Sequence, residues 1–376
     1  MKKQFAALLT ALSLLPTLAL AQEYYTLPEI REQAKDGWHE TYTDRYGREI
    51  QVDIDADVFG EQTAPLIKAG FPQYNIYDVV QNCPYDTVSN VKRKGGKRTH
   101  IYRSYGTEVD LDKPYGADYG NDLTLNEMYS FVKRLLTDQG IPCDIFLYER
   151  PRFFDVLCNI QQSTGEVKAT AFYLVRLYEQ FYGIPVLTRK IASFNTKRGW
   201  PDYEPNISFQ MRNENEFTAM VNVLEEQEII AEDIPLCSFE TIKENIQSEI
   251  INGHIRKVFS IRFGYSVYND PNYPKGKRSA LDADCYYLVP SWVLECIYIN
   301  NPKETYSLEA ELAKDGGADT TERSTDKFRV ITINAQTGEV TNPMDTSKNG
   351  WGDADYKGFI PVSYTHLRAH ETGAYL

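Results

Sequence analysis

The sequence predicts an α+β fold: two units, each with one helix and an antiparallel sheet, behind a β-rich N-terminal region. Three observations predict it. An apolar stripe at helical spacing occurs twice, and short runs of alternating apolar and polar residues follow each stripe. The 27 Tyr and 17 Phe are set among such runs and favour β-structure. A duplicated unit is the simplest explanation of this repeated order.

The start of the chain, residues 1–21, is typical of a cleavable signal peptide. Lys2 and Lys3 supply positive charge, an apolar run follows, and Ala19-Leu20-Ala21 has the small-x-small pattern of a cleavage site. The run is short for a membrane anchor, which is the alternative interpretation. We therefore expect an extracellular or cell-envelope protein with no membrane span after cleavage.

The other end, residues 363–376, is predicted to be an artefactual tail. Residues 363–372 (SYTHLRAHET) match the translation of a transposase sequencing adapter. Within it, His366 and His370 are four positions apart and Glu371 is adjacent, a spacing that on a helix suits a metal site. We expect no metal there, because the natural sequence is predicted to diverge after about Val362.

Residues 22–122 form the predicted N-terminal region. Residues 46–59 alternate between apolar and polar side chains, which is typical of a half-buried strand. Its inward positions are Ile50, Val52, Ile54 and Ala56. Its acidic residues, Asp53, Asp55 and Asp57, are expected on the solvated face rather than in a calcium or catalytic cluster.

Residues 123–235 form the first predicted unit. A helix is predicted over residues 124–139 and ends at Gly140. Its apolar positions are Leu125, Met128, Tyr129, Val132, Leu135 and Leu136. A strand is predicted over residues 167–181, and two short strands are predicted around Asn213-Glu214-Asn215.

Residues 236–362 form the second predicted unit, which is truncated. Ser238 is predicted to cap a helix that runs to about Ile251, with isoleucines at helical spacing at 242, 246 and 250. Strands are predicted over residues 256–268, 285–299 and 328–334, and Gln336-Thr337-Gly338 is a turn signal that closes a hairpin.

The six cysteines predict at least one disulfide in an oxidising compartment. If residues 143–158 form a hairpin that turns at Arg150-Pro151, Cys143 lies opposite Cys158, at a separation that suits a disulfide. Two buried thiols are the alternative. The pairing of the other four is left open: Cys83, Cys237, Cys285 and Cys296.

The formal net charge of −13 repels phosphate backbones, so no nucleic-acid partner is expected. The basic cluster at residues 92–98 has Gly95-Gly96 at its centre and is predicted to be an exposed hairpin turn. A binding patch for an acidic partner is the alternative.

Three stretches carry a family resemblance: residues 173–186 (YLVRLYEQFYGIPV), 286–299 (YYLVPSWVLECIYI) and 328–340 (FRVITINAQTGEV). They are similar to tandem domains of the PepSY and YycI/YycH kind, found in uncharacterised secreted proteins and lipoproteins of gut Firmicutes. The resemblance spans residues 124–342. It implies small helix-plus-sheet modules that bind or regulate sensor kinases or peptidases, with no catalytic residues to carry over. The chain departs from this group in lacking a lipidated Cys and a membrane helix.

No set of residues commits the chain to a reaction, and we expect no catalytic residue, metal or cofactor. The pairs Asp282 with Asp284 and Asp353 with Asp355 have a spacing that suits glycoside cleavage, but acidic loops supply such pairs commonly. Ser-x-x-Lys occurs at residues 89–92 and 324–327 without the companion motifs of penicillin-interacting enzymes. The histidines His39, His100 and His254 are isolated and receive no role.

Together these observations predict a secreted, non-catalytic protein that binds a peptide or protein partner through an exposed sheet edge or a concave sheet face. An extracellular hydrolase acting on sugars or peptides is one alternative. A carbohydrate-binding protein that uses Tyr and Trp side chains is another. The oligomeric state is left open.

Overall fold

The computed structural model describes residues 23–70, 97–103, 109–148, 155–161, 168–189, 207–221, 223–269, 286–306 and 328–341. These residues are mostly β-strand, with the helices α1 (Leu27–Ala34), α2 (Leu125–Asp138) and α3 (Phe239–Ile251) and a 3-10 turn, Ala117–Tyr119. The strands are β1 (Trp38–Thr43), β2 (Glu49–Ile54), β3 (Ala56–Val58), β4 (Leu66–Gly70), β5 (Lys97–Arg103), β6 (Ile145–Phe146), β7 (Asp155–Gln161), β8 (Lys168–Phe181), β9 (Ile184–Arg189), β10 (Ile207–Asn213), β11 (Glu216–Val221), β12 (Glu225–Ala231), β13 (Ile255–Asn269), β14 (Tyr286–Tyr298), β15 (Phe328–Asn334) and β16 (Val340–Thr341).

The antiparallel pair of β13 and β14 forms the centre of the fold. It extends from Ile255 opposite Tyr298 to Asn269 opposite Tyr286. Both strands are rich in β-branched and aromatic residues, which favour extended backbone. β14 is buried on both faces along nearly its whole length, as expected of a strand in the middle of a covered sheet.

Strands from distant parts of the chain cover both edges of this pair. On the β13 edge, β3 pairs in parallel with residues 261–263 and β9 in parallel with residues 265–267. On the β14 edge, β4 pairs with residues 286–288 and β15 with residues 291–297, both antiparallel. β4 in turn carries β12, and β15 carries β16. The central sheet is therefore mixed.

Close packing on β13 explains Gly264. A Cβ atom there would lie 2.5 Å from Cδ1 of Leu187 and 2.7 Å from the carbonyl oxygen of Pro185. β9 therefore lies against β13 only because residue 264 has no side chain.

Pro290 lies within β14, although proline has no N–H group for the ladder. Its carbonyl oxygen accepts a hydrogen bond from the N–H of Ala335 at 3.1 Å. Because the N–H and C=O of one residue point to the same edge of an antiparallel strand, the missing donor faces the edge shared by β4 and β15. There the pairing of β4 stops at Leu288 and that of β15 begins at Ser291, so no ladder bond is lost.

A second sheet is antiparallel, in the order β5, β7, β8, β10, β11. The helix α2 packs on it through a core that includes Leu125, Met128, Val132, Val175 and Phe209. A two-residue turn, Tyr182-Gly183, joins β8 to β9 and so connects this sheet to the central one.

The helices α1 and α3 and the β1–β2 hairpin cover one face of the central sheet. Trp292 lies in the middle of this core, with ring centroids 4.9 Å from Phe239 of α3 and 5.6 Å from Phe263 of β13. Trp38 of β1 is also fully buried. Removing such aromatic surface from water supplies much of the stability of a core of this kind.

The predicted fold class, α+β with two helix-plus-antiparallel-sheet units, is wrong. The structure is mostly β with few helices, and its central sheet is mixed. Strands β3 and β4, from residues 22–122, pair with β13 and β14 from residues 236–362. Local periodicity located several strands, among them β8, β13, β14 and β15, but it carries no information about which distant strand each one pairs with.

The two helices predicted from their apolar stripes are confirmed. At the start of α2, the Thr124 hydroxyl accepts from the N–H of Glu127 at 3.1 Å, and the Glu127 carboxylate accepts from the N–H of Thr124 at 2.8 Å. At the start of α3, the Ser238 hydroxyl accepts from the N–H of Thr241 at 3.0 Å. Gly140 follows α2 with a φ of 65°, a left-handed conformation that glycine adopts readily.

An ion network ties the turn between β1 and β2 to the start of β13. One oxygen of the buried Asp44 carboxylate accepts from the N–H groups of Tyr46 and Arg48. The other lies 2.6 Å from Nη2 of Arg48 and 3.3 Å from Nη1 of Arg256. Burial raises the pKa of Asp44, but the hydrogen bonds and charge of Arg48 outweigh it and lower the pKa below its ordinary value.

Replacing Asp44 by Asn is expected to destabilise the protein by about 2 kcal/mol at neutral pH, because two arginines lose their shared counter-charge. The pKa of Asp44 is lower in the folded protein than in the unfolded chain, where it is about 3.9, so its carboxylate stabilises the folded state above that pH. This stabilisation is lost as the pH falls through the folded-state pKa. The difference between Asp44→Asn and the unchanged protein should therefore shrink as pH falls from about 4 towards about 2.

Urea unfolding at a series of pH values measures this difference. Asp118→Asn, which removes an exposed carboxylate from the 3-10 turn, serves as the matched control and should change stability little at any pH. A difference for Asp44→Asn that stays constant down to the lowest pH would contradict the assigned network.

Candidate partner-binding edge

The strand β12 is an outer strand of the central sheet. In the part of the chain that the structure describes, it pairs with β4 alone. Its first six residues are exposed, and Ala231 at its end is half-buried. No other described strand pairs with its second row of backbone N–H and C=O groups, and an edge of this kind can accept a further strand.

Two β-bulges interrupt the pairing of β12 with β4, one between Glu226 and Glu228 and one between Ile229 and Ala231. Bulges increase the local twist of a strand and divide its edge into short stretches. Negative charges occur on the same strand, at Glu225, Glu226 and Glu228. Bulges and charges are both known devices against pairing with an identical edge, since two acidic edges repel each other.

Apolar side chains are nevertheless exposed on this charged strand. Ile229 is 38% exposed and Ile230 is 39% exposed. Among the described residues, the other large apolar or aromatic side chains with this degree of exposure are Tyr24, Tyr46, Tyr182 and Ile251. Two neighbouring isoleucines on an open edge are therefore an uncommon feature of this surface.

Tyr182 reaches β12 from the turn between β8 and β9. Its hydroxyl donates to Oε2 of Glu226 at 2.8 Å, and half of its side chain is exposed. Partial burial, this hydrogen bond and the charge of Glu226 raise the pKa of Tyr182. Its φ of 55° is unusual for an aromatic residue. A two-residue hairpin requires that backbone conformation, but it favours Asn or Gly rather than tyrosine.

We call residues Glu225–Ala231 together with Tyr182 the β12 edge. The sequence did not predict β12, because a strand exposed on both faces lacks the alternation that marks a half-buried one. The sequence does contain a signal for the turn at Tyr182. Tyr182 and Gly183 are the only two residues between two strand-like runs, which is the spacing of a tight hairpin.

A buried charged cluster lies on the face of the central sheet opposite α1 and α3. Arg262 of β13 and Glu295 of β14 form an ion pair and are 1% and 3% exposed. The hydroxyl of Ser260 donates to Oε2 of Glu295 at 2.9 Å. Burial opposes the charge of Arg262, but the charge of Glu295 outweighs it and raises the pKa of Arg262.

Two tyrosine rings enclose the Arg262 guanidinium. Its Cζ lies 4.9 Å from the ring centroid of Tyr148 and 5.8 Å from that of Tyr178. The Tyr148 hydroxyl donates to the carboxylate of Asp57 on β3, and burial raises the pKa of Tyr148. The cluster therefore links β3 and β8 to the central pair through the buried Arg262–Glu295 ion pair and the half-buried Asp57.

Cys143 lies just before β6, and Cys158 lies within β7. The hairpin that was predicted to pair them does not form. Both strands run along β8 instead, with Ile145 opposite Glu179 and Cys158 opposite Ala171. Because β6 and β7 both pair with the long strand β8, they do not pair with each other in the predicted register. The disulfide between Cys143 and Cys158 loses this geometric basis and stays a prediction.

Several predicted residues lie outside the described ranges: the pairs Asp282 with Asp284 and Asp353 with Asp355, both Ser-x-x-Lys motifs, and the tail histidines. Of the isolated histidines, His39 lies 2.6 Å from the carboxylate of Asp53, and its pKa is raised mainly by that hydrogen bond. His254 stacks on Tyr298 and contacts the carbonyl of Ile299. His100 lies within β5.

Within the described ranges, no helix combines the length and apolar character needed to cross a membrane. The same ranges contain no group of three or more His, Cys, Asp or Glu residues placed to hold a metal ion.

No protein-family model matches the chain, and no curated protein matches it. Among solved structures, an uncharacterized protein from Eubacterium rectale ATCC 33656 is similar, with a TM-score of 0.44 and 10% sequence identity. The match covers 85% of this chain and 99% of that chain. A likeness at this TM-score carries no argument about fold or function.

The Arg262–Glu295 tie can be tested by a double-mutant cycle. Arg262→Met and Glu295→Gln should each cost about 3–5 kcal/mol, because each leaves a buried polar partner unsatisfied. The loss of stability in the double variant should be about 2 kcal/mol smaller than the sum of the two single losses. The second substitution removes the buried charge that the first one left without a partner. Chemical unfolding of the four proteins gives the coupling energy, and additive losses would show that the two side chains act independently.

Proposed function

We propose that the protein is a secreted, non-catalytic protein that binds an extended peptide or protein segment by adding it as a strand to the β12 edge. The observation that carries the proposal is the open edge of β12 with its exposed side chains. Residues 1–21, with their signal-peptide pattern, support the secreted part of it.

Strand addition uses two kinds of contact. Backbone hydrogen bonds to the open edge supply sequence-independent affinity, and side chains on alternate positions supply selectivity. The exposed Ile229 and Ile230 offer apolar surface that such a segment buries. The bulges of β12 restrict the pairing to a short segment and so favour a reversible complex over continued sheet growth.

No observation on the described residues supports either alternative, a hydrolase or a carbohydrate-binding protein. The carboxylate pairs that motivated the hydrolase lie outside those residues. The aromatic residues with the greatest exposure, Tyr24, Tyr46 and Tyr182, lie on three different segments. Both alternatives stay predictions.

A peptide of about eight residues that alternates lysine and valine is the probe for strand addition. We expect it to slow hydrogen–deuterium exchange at the amides of β12, because they gain hydrogen-bond partners. Methylating the backbone nitrogen of every second residue removes one edge of the peptide and should abolish binding. Binding of the methylated peptide with unchanged affinity would contradict strand addition.

The side-chain contribution is tested by Ile229→Ser with Ile230→Ser. Losing two partly exposed isoleucines should weaken binding by about tenfold, since each buries only part of its surface in the complex. Ile251→Ser is the matched control, because Ile251 is 40% exposed at the end of α3. Equal affinities for the double variant and the control would place the contact elsewhere.

A further inference from the structure

We infer that the segment received at the β12 edge is basic, with Lys or Arg at alternate positions of an extended chain. The inference rests on the proposed function and names its partner class. It is carried by the charge of the edge, by the placement of Tyr182 beside Glu226 and by the two exposed isoleucines of β12.

Among the described residues, the edge carries more carboxylates than cations. Glu225, Glu226 and Glu228 are all exposed, and exposed Glu232 follows the strand. Lys68 of β4 lies opposite Glu228 and is the one cation within the β12–β4 pairing. A strand that carries lysine or arginine at alternate positions places its cations beside these carboxylates, because directly opposed side chains in a sheet are neighbours.

Tyr182 adds a second feature that suits a cation. Its hydroxyl is held by Glu226, and half of its side chain remains exposed. An exposed aromatic face next to a fixed carboxylate binds an ammonium or guanidinium group by both charge and cation–π attraction. This gives a reason for tyrosine at a turn position that favours Asn or Gly.

Ile229 and Ile230 complete the match to a basic strand. Lysine and arginine bury their aliphatic stems along apolar surface while their charged ends stay in water. Ile229 and Ile230 follow Glu228 on the same strand and offer apolar surface for such stems, one on each face. A second copy of β12 is excluded, because it brings the same negative charges to the same positions.

Three peptides of the same length test this inference, alternating valine with lysine, threonine or glutamate. Fluorescence anisotropy measures their affinities for the full-length protein at about 0.02 M and about 0.5 M salt. We expect the lysine peptide to bind at least about tenfold more tightly than the threonine peptide at low salt, with the difference largely screened at high salt.

A triple variant, Glu225→Gln, Glu226→Gln and Glu228→Gln, should lose about tenfold in affinity for the lysine peptide, as expected for three exposed ion pairs. The matched control carries Glu49→Gln, Glu214→Gln and Glu244→Gln, which removes the same net charge from other exposed positions. The control should bind like the unchanged protein. Equal losses in both would show that net charge attracts the peptide, and would overturn the inference.

The outcomes separate this inference from the proposed function. If the threonine and glutamate peptides bind as tightly as the lysine peptide, the basic partner is overturned and strand addition stands. If a lysine peptide with methylated backbone nitrogens binds as tightly as the unmodified one, strand addition fails, and this inference fails with it. Tyr182→Ala should weaken the lysine peptide more than the threonine peptide, and an equal effect on both would contradict the cation contact.

Discussion

The rest of the structure depends on the antiparallel pair of β13 and β14, because β14 and residues 260–268 of β13 are buried on both faces. Buried strands leave no water to satisfy their backbone groups, so other strands must cover each edge. That requirement brings β3, β9, β4 and β15 to the pair from distant parts of the chain. It also explains why Arg262 and Glu295, both inside the sheet, lie diagonally across the two strands and neutralise each other.

Local features of the fold were predictable from the sequence. Thr124 with Glu127, and Ser238 before an isoleucine stripe, mark helix starts because capping is a contact within one turn. The same kind of local contact marks the start of α1, where the Glu29 carboxylate accepts a hydrogen bond from the N–H of Thr26 at 2.8 Å. The pairing of distant strands was not predictable, because the parallel contact of β3 with β13 leaves no trace in either segment alone. The repeated order of helix and strands therefore suggested a duplication that the sheet does not have.

The candidate site was harder to predict than the core for a physical reason. A core position is marked by its apolar character, whereas β12 is a charged strand with exposed side chains and looks like any surface segment. Only the sheet topology shows that no second described strand pairs with β12. Only the hairpin between β8 and β9 shows that Tyr182 lies beside Glu226. The binding edge that we propose is therefore argued from sheet topology rather than from a sequence motif. The PepSY-like resemblance stays an expectation.

The pairing of β4 with β14 sets the order in which this protein becomes folded. Ala69 of β4 pairs with Tyr286 of β14, more than 200 residues later in the chain. The N-terminal strands therefore emerge from the ribosome long before the strands that pair with them. Contacts of such large sequence separation form slowly, and unpaired apolar strands are prone to aggregate in the meantime. Nascent chains of this protein are therefore natural clients for chaperones until β14 has been synthesised.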